Sequence, residues 1–279
     1  MKKDLISVIL TTYNRAETTL TCLKNLKECD LPVNVYLKIF IADSNSPDQT
    51  LKLVKNNYPD VEIFNVGNDV FWNQGMIKAW EKATLFNSKF FLLLNDDTYL
   101  YKNALQILIN DYYSLQNESI LIGVTQYNGI LTYGGRKIKY DSELVVPKGS
   151  PQKVIYMNGN CVLISDTIFN KLGFLSNKYR HSLGDIDYGF RALKNKIELH
   201  ICSEVIANCQ SNKFRFHYQN ISFIKRCKLL TSPKGLPLKE FLYFNYTFFG
   251  IFKAIKFLLS TTVLLFFPKI FVKIKTKWK

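Results

Sequence analysis

The sequence predicts an α/β domain, a mostly parallel sheet covered by helices on both faces, followed by a helical tail of different character. Three observations carry this reading. Four short apolar runs alternate with helix-period segments over about the first 100 residues, the signature of βα units. Each run stops on a cluster of polar and turn-forming residues. The charge is also segregated. Residues 213–279 hold 14 Lys/Arg against one acid, Glu240, and so carry +13 of the formal +15. The first 212 residues hold 23 Lys/Arg and 21 Asp/Glu. We therefore place one domain over residues 1–212 and a basic, apolar tail over 213–279.

The elements follow in order. Residues 6–10 are a β-rich apolar run that breaks at Thr11-Thr-Tyr-Asn14, and Leu20, Leu23 and Leu26 then repeat at helical spacing. Residues 38–42 form a second buried strand, ending at Asp43-Ser-Asn-Ser-Pro-Asp48, a run of turn and N-cap residues. A helix through Leu51 and Val54 comes next. A third strand over 61–65 precedes a loop containing Gly67 and a helix from about Gly75 to Leu85. Residues 90–94 are a fully apolar fourth strand that runs straight into Asn95-Asp96-Asp97. Residues 120–157 read as a less regular β segment with Gly134-Gly135, residues 162–165 as a strand, and Asp185 as the opening of a helix reaching Lys194. Strand residues 199–202 follow. In open parallel sheets, ligands sit outside the carboxyl ends of the strands. Tyr13, Asp43, Asp96 and Asp97 all fall there.

Composition narrows the function class. A chain that is 47% hydrophobic and 14% aromatic can bury a large core, so it is not a disordered binder. A near-neutral body argues against nucleic acid as the partner of its surface. The N-terminal apolar run, about five residues, is shorter than an export signal requires. The six cysteines show neither a C-x-x-C pair nor metal-ligand spacing with the three histidines, and read as reduced thiols. The tail is apolar over 241–267 but carries Lys253 and Lys256, and its longest uncharged run, 257–267, spans 11 residues before Pro268. A spanning helix needs about 20. The pattern predicts an amphipathic helix lying on an anionic membrane surface, with Lys269 to Lys279 as a basic end. A helix packed on the domain and an inserted hairpin are the alternatives.

Two acidic motifs carry the chemistry. Adjacent carboxylates at Asp96 and Asp97 repel each other and lose hydration, which suits a divalent cation placed between them and a bound phosphate; Asp97 as a helix N-cap is the alternative. Asp185-Ile-Asp-Tyr-Gly-Phe-Arg191 opens a helix, whose dipole favours an anion. Asp187 and Arg191 stand at i,i+4 and read as an ion pair, leaving Asp185 as the freer carboxylate, suited to taking a proton from a hydroxyl.

These motifs resemble the family 2 glycosyltransferases, which have the nucleotide-diphosphosugar transferase fold called GT-A. The resemblance rests on Val8-Ile-Leu-Thr-Thr-Tyr-Asn-Arg15, the strand ending at Asp43, Asn95-Asp-Asp97 as a form of the D-x-D motif, and Gly184-Asp-Ile-Asp-Tyr-Gly-Phe-Arg191. It covers residues 1 to about 210. It implies that Thr11 and Tyr13 contact the nucleotide and that Asp43 accepts an N–H from the base, favouring uracil or thymine. It also implies Asp96 at the ribose or sugar, Asp97 on Mg2+ or Mn2+, and Asp185 as the general base of an inverting transfer from a UDP- or dTDP-sugar. Where the family commonly has Arg-Asn-x-Gly, this chain has Trp72-Asn-Gln-Gly75, a variant similar to the rhamnosyltransferase-like subgroup. Trp72 then either shapes the sugar pocket or is a core tryptophan. Asn158 falls on the acceptor side, where Gly159 is alternatively a simple turn. His181 either orients the acceptor or fills a loop, and His217 is a candidate for the diphosphate or the metal.

The implied acceptor is a glycan or glycolipid, the implied setting surface-polysaccharide synthesis at the cytoplasmic face of a membrane. The main rival is a non-catalytic saccharide- or lipid-binding protein on a degenerate transferase fold, against which Asp43, Asp97 and Asp185 all argue. A nucleotidyltransferase would want a glycine-rich loop after the first strand, and Thr11-Thr-Tyr-Asn14 has no glycine.

Overall fold

Strand formation at the N-terminus follows the apolar runs. The computed structural model describes residues 3–138, 143–211 and 220–277, with side chains to residue 273. In order, the elements are β1 (Asp4–Thr12), α1 (Ala16–Lys27), β2 (Val35–Asp43), α2 (Thr50–Asn57), β3 (Glu62–Asn65), α3 (Trp72–Ala83), β4 (Phe90–Leu94), β5 (Tyr99–Leu100) and α4 (Ala104–Ser114). Then come β6 (Ser119–Tyr127), β7 (Ile130–Tyr133), β8 (Gly135–Arg136), β9 (Gln152–Val154), β10 (Tyr156–Met157), β11 (Cys161–Ser165), α5 (Asp166–Leu172), α6 (Gly184–Lys194) and β12 (Glu198–Asn208). Helices α7 (Phe223–Leu229), α8 (Leu238–Phe249), α9 (Ile251–Phe266) and α10 (Pro268–Lys277) complete the described chain.

The main sheet runs β3-β2-β1-β4-β11-β6-β12-β5. Its first four strands are parallel, as the βα alternation requires. Strand β11 then enters antiparallel between β4 and β6, and β12 pairs parallel with β6. Strand β1 has β2 on one side and β4 on the other, so the chain reverses its winding there and leaves a crevice at the carboxyl ends. Register fixes the level of that crevice. Thr12 pairs with Asp43, Asp43 with Asn65, and Ile9 with Leu93.

Two differences from the sequence reading concern β6 and α3. Residues 119–127 form a regular nine-residue strand. Gly123 lies within it, where a Cβ would meet the Ile206 and Cys161 side chains at 2.8 and 2.9 Å. Helix α3 begins at Trp72, three residues before Gly75, and Gly75 lies inside its first turn. A Cβ on Gly75 would fall 2.1 Å from the Thr11 hydroxyl, so the glycine lets α3 approach β1.

Helix α3 also fixes the second half of the crevice. Trp80 is fully buried, and its ring packs on Phe91 of β4, Phe169 of α5, Phe174 and Tyr188 of α6, with centroids 5.2 to 6.0 Å apart. Such offset and edge contacts add directional packing to area burial. One aromatic cluster thus ties α6 to the parallel sheet.

The chain divides into two compact units, residues 1–177 with 184–211 and residues 178–183 with 212–279. In the second unit, Arg180 donates through Nε and its backbone N–H to the buried Glu240 carboxylate of α8, at 2.7 and 3.2 Å. Phe241 stacks on Phe257, joining α8 to α9. Gly250, at φ +82°, separates these helices, and Pro268 stands at the first position of α10, where its missing N–H is harmless. No helix among the described residues is long and apolar enough to cross a membrane. The longest tail helix, α9, has 16 residues and spans about 24 Å. Tyr246, Phe252, Leu259, Phe266, Phe267 and Ile270 are all more than half exposed.

Candidate active site

The loops after β1 and β2 lock each other. Asn14 and Asn45 take left-handed backbone conformations, which asparagine tolerates better than most side chains. The Asn14 N–H donates to the Ser46 hydroxyl at 2.8 Å. Ser46 in turn donates its N–H, at 3.0 Å, and its hydroxyl to the two oxygens of Asp43. Asp48 accepts the Ala16 N–H at 2.9 Å and so satisfies the first turn of α1. Asp43 is buried at the end of β2, while Tyr13, in the loop after β1, is half exposed. The Thr11 hydroxyl points into the fold, donating to the Ala42 carbonyl at 3.0 Å.

At the end of β4, Arg15 bridges the acidic motif. Its guanidinium donates to Asp96 Oδ1 at 2.6 Å and to Asp97 Oδ2 at 3.1 Å. Asp96 is 4% exposed, and its Oδ2 is buried without a hydrogen bond of normal geometry. Burial pushes the Asp96 carboxyl up to about 6, against the pull of Arg15 and with the help of Asp97. The N-cap alternative for Asp97 is not realised: α4 starts at Ala104, with Asn103 at its cap position. Arg15 is the functional candidate that sequence reasoning missed as an individual residue. The signal was present, since it is the one cation between Thr11 and Leu23.

These carboxylates fit a divalent cation. They are hard oxygen donors, one of them with a buried lone oxygen, on a rigid strand end. Among the described residues no group of three or more His, Cys, Asp or Glu converges. A cation held by Asp96 and Asp97 would complete its shell with phosphate oxygens and water, the usual arrangement for Mg2+. His217 lies outside the described residues.

Asp185 stands on the other side of Trp72. Its Oδ2 accepts the Gly159 N–H at 2.8 Å and its Oδ1 the Ile186 N–H at 2.9 Å. Burial raises its pKa, with these two N–H groups pulling it back. Trp72 donates its indole N–H to Asn95 Oδ1 at 2.7 Å, and its ring lies so close to Gly159 that a Cβ there would be 2.9 Å from it. The Asn95 N–H donates to the Asn160 carbonyl at 2.9 Å. Asn95, Trp72, Gly159 and Asp185 therefore form one continuous contact, with Asp96 and Asp97 at one end and the base candidate at the other. Trp72 is half-buried and packs against the core with part of its ring.

The rest of the Trp72-Asn-Gln-Gly75 motif holds this arrangement together. Asn73 is fully buried, donates to the Ser176 carbonyl at 2.9 Å, and fills the space a side chain on Gly184 would need. The i,i+4 pair in α6 forms, with Arg191 Nε 2.7 Å from Asp187, and Arg191 also donates to the Leu172 and Phe174 carbonyls at 2.8 Å each. Asp187 is thus spent on structure. Asn158 accepts from Arg136 at 3.0 Å, next to Gly159. His181 belongs to the second unit, where burial and, secondarily, Lys234 lower its pKa to about 4 and keep the imidazole neutral. All six cysteines are free thiols.

Comparison with known proteins identifies the family and the fold. The family model described as glycosyl transferase family 2 matches residues 7–179. No curated protein matches the sequence. Among solved structures, S. aureus TarS superposes with a TM-score of 0.58 at 17% identity, over 89% of this chain and 44% of that one. This chain therefore spans less than half the length of that TarS chain. TarS 1–349 in complex with UDP gives 0.56 at 17% identity, over 89% and 73%. The mannosyltransferase PcManGT from Pyrobaculum calidifontis, in complex with GDP-Man and Mn2+, gives 0.54 at 14%, over 99% and 84%. At these identities the likeness is one of fold, and that fold is GT-A. The family model matches well over half of the chain, including most of the sheet and the Asp96–Asp97 motif, so the chain belongs to glycosyl transferase family 2.

Proposed function

We propose that this glycosyltransferase moves a sugar from a UDP- or dTDP-sugar to a saccharide acceptor by single displacement, with inversion at the anomeric carbon. The observation that carries the reading is the continuous contact Asn95–Trp72–Gly159–Asp185, which joins the acidic motif to a second carboxylate across one side chain. Tyr13 and Asp43 receive the nucleotide at the ends of β1 and β2. Asp96 and Asp97 hold Mg2+ or Mn2+, which would supply positive charge to the leaving diphosphate. The TarS complex with UDP and the PcManGT complex with GDP-Man and Mn2+ support a nucleotide-sugar donor and a divalent ion by analogy of fold.

Asp185 takes the proton of the acceptor hydroxyl as its oxygen bonds to the anomeric carbon and the bond from that carbon to the diphosphate breaks. A carboxylate raised toward neutrality by burial is a stronger base than an exposed one. Asn158 lines the acceptor side, and Trp72 closes the sugar pocket between donor and base.

The acceptor is a glycan or glycolipid of surface-polysaccharide synthesis, reached at the cytoplasmic face of a membrane. The support is the tail, where exposed Phe252, Leu259 and Ile270 are interleaved with Lys253, Lys256, Lys269 and Lys273. Once a donor and acceptor are found, the proton NMR coupling of the new anomeric centre tests the mechanism. Inversion relative to the donor is expected; retention would overturn the single displacement.

A further inference from the structure

The Asp96–Asp97 pair already has a cation. The guanidinium of Arg15 reaches one oxygen of each carboxylate, at 2.6 and 3.1 Å, and among the described residues no other basic side chain is ion-paired with either. It occupies Asp96 Oδ1 and Asp97 Oδ2, and so competes with a metal for the charge of both carboxylates while Asp96 Oδ2 stays unpartnered. Guanidinium cannot be neutralised by deprotonation, so it leaves only by being handed to another anion. Its planar fork matches a phosphate as well as a carboxylate.

The surroundings let it move. Arg15 precedes α1 with non-helical backbone angles, φ −145° and ψ 43°, and the chain beyond it is held at Ala16 by Asp48. Its side chain is 41% exposed, whereas that of Asp96 is 6% exposed. The acid is therefore fixed and the base is free to swing on a long stem. Asp96 also needs a positive partner, because an ionised carboxylate this deeply buried is unstable alone.

We propose that Arg15 is a built-in counter-ion, holding the Asp96–Asp97 pair while the site is empty and passing to the donor's diphosphate when a divalent cation takes the carboxylates. This rests on the donor-and-cation reading above. Its consequence is thermodynamic. The metal alone must expel Arg15 into water, but the metal with a nucleoside diphosphate offers it a new anion. Metal and nucleotide then bind as a coupled pair, each raising the affinity of the other by the same factor.

The test is a Mn2+ titration of the full chain at pH 8, with free Mn2+ followed by electron paramagnetic resonance, without nucleotide and with saturating UDP, dTDP or GDP. Wild type, Arg15→Ala, Arg15→Lys and Asp97→Ala are compared. For wild type, one nucleotide should tighten Mn2+ at least about tenfold, within the usual range of coupling. In Arg15→Ala, Mn2+ alone should bind about tenfold more tightly than in wild type, and the coupling factor should fall below that of wild type to the part that direct contact between cation and phosphate supplies. Arg15→Lys, which keeps the charge and loses the fork, should lie between and serves if the alanine variant does not fold. A gain in metal affinity is a result that structural damage would not produce. Unchanged or weaker Mn2+ binding by both folded Arg15 variants, with nucleotide-dependent Mn2+ binding intact in wild type, overturns the counter-ion role alone. No Mn2+ binding by wild type with any of the three nucleotides overturns the donor-and-cation reading and this inference together.

Discussion

Gly159→Ala is the sharpest single perturbation of the candidate site. The alanine Cβ would stand 2.9 Å from Asp185 Cβ and 2.9 Å from Trp72 Cη2, with Trp72 Cζ2 at 3.1 Å. Carbon atoms in comfortable contact lie about 3.5–4.0 Å apart, so Trp72 and Asp185 must separate by roughly 0.5–1 Å. Overpacking of this kind destabilises a fold by about 1–3 kcal/mol. A 1 Å misplacement of groups aligned for reaction lowers turnover on the order of a hundredfold. Alanine retains the amide N–H that binds Asp185, so the loss would come from displacement and not from a missing hydrogen bond. Urea unfolding and kcat/KM with the preferred donor measure the two effects. Gly149→Ala is the control: it has φ +77° and nothing within 4 Å, so it should show only backbone strain, about 1 kcal/mol, with unchanged kcat. A Gly159→Ala enzyme that kept kcat within threefold of wild type would refute the argument that this contact sets the geometry of the site.

Asp185→Asn should lower kcat by about 100- to 10,000-fold, the range for a general base, while leaving nucleotide affinity within a few-fold of wild type. Because burial raises the Asp185 pKa and the base works ionised, wild-type kcat/KM should fall as pH drops through a value above the ordinary 3.8; an acid limb at or below 3.8 would remove Asp185 from the role. Asp187→Ala strips the buried partner from Arg191 and should destabilise the fold by about 3 kcal/mol, the lower end for a broken buried pair because Arg191 is partly exposed. Its donor affinity, measured by calorimetry where the variant is folded, should not change. Lys253→Gln with Lys256→Gln should weaken sedimentation onto anionic vesicles about 30-fold, from about 1 kcal/mol per lysine, and leave zwitterionic vesicles unaffected. Equal loss on both vesicle types would argue against an electrostatic attachment.

What the sequence disclosed was local, and what it withheld was contact between distant segments. The four parallel strands were readable because each is an apolar β-rich run closed by polar residues, and the Asp187–Arg191 pair because i,i+4 is a helix neighbour by geometry. Gly75 misled: it reads as a helix boundary, yet it sits inside α3 because β1 comes too close for a Cβ, and Gly123 lies within β6 for the same kind of reason. Nothing local announces that Thr11 lies over Gly75 or Cys161 against Gly123. Arg15 and the acidic motif are 81 and 82 residues apart, so neither periodicity nor spacing could join them. In the tail, Pro268 was legible as the end of the apolar stretch, whereas the break at Gly250, which divides 241–267 between α8 and α9, was not read.

The central claim is that Asp97 holds a divalent ion against the diphosphate of a nucleotide sugar, and nucleoside diphosphate release tests it most directly. The full chain would be incubated with Mn2+ and a panel of UDP-, dTDP- and GDP-sugars, with and without EDTA, alongside Asp97→Ala, with donor binding followed by calorimetry. The account predicts release from one UDP- or dTDP-sugar, abolished by EDTA and reduced at least about a hundredfold in Asp97→Ala. Release indifferent to EDTA and to Asp97→Ala, or a wild-type chain that binds no nucleotide sugar in the presence of Mn2+, would contradict it.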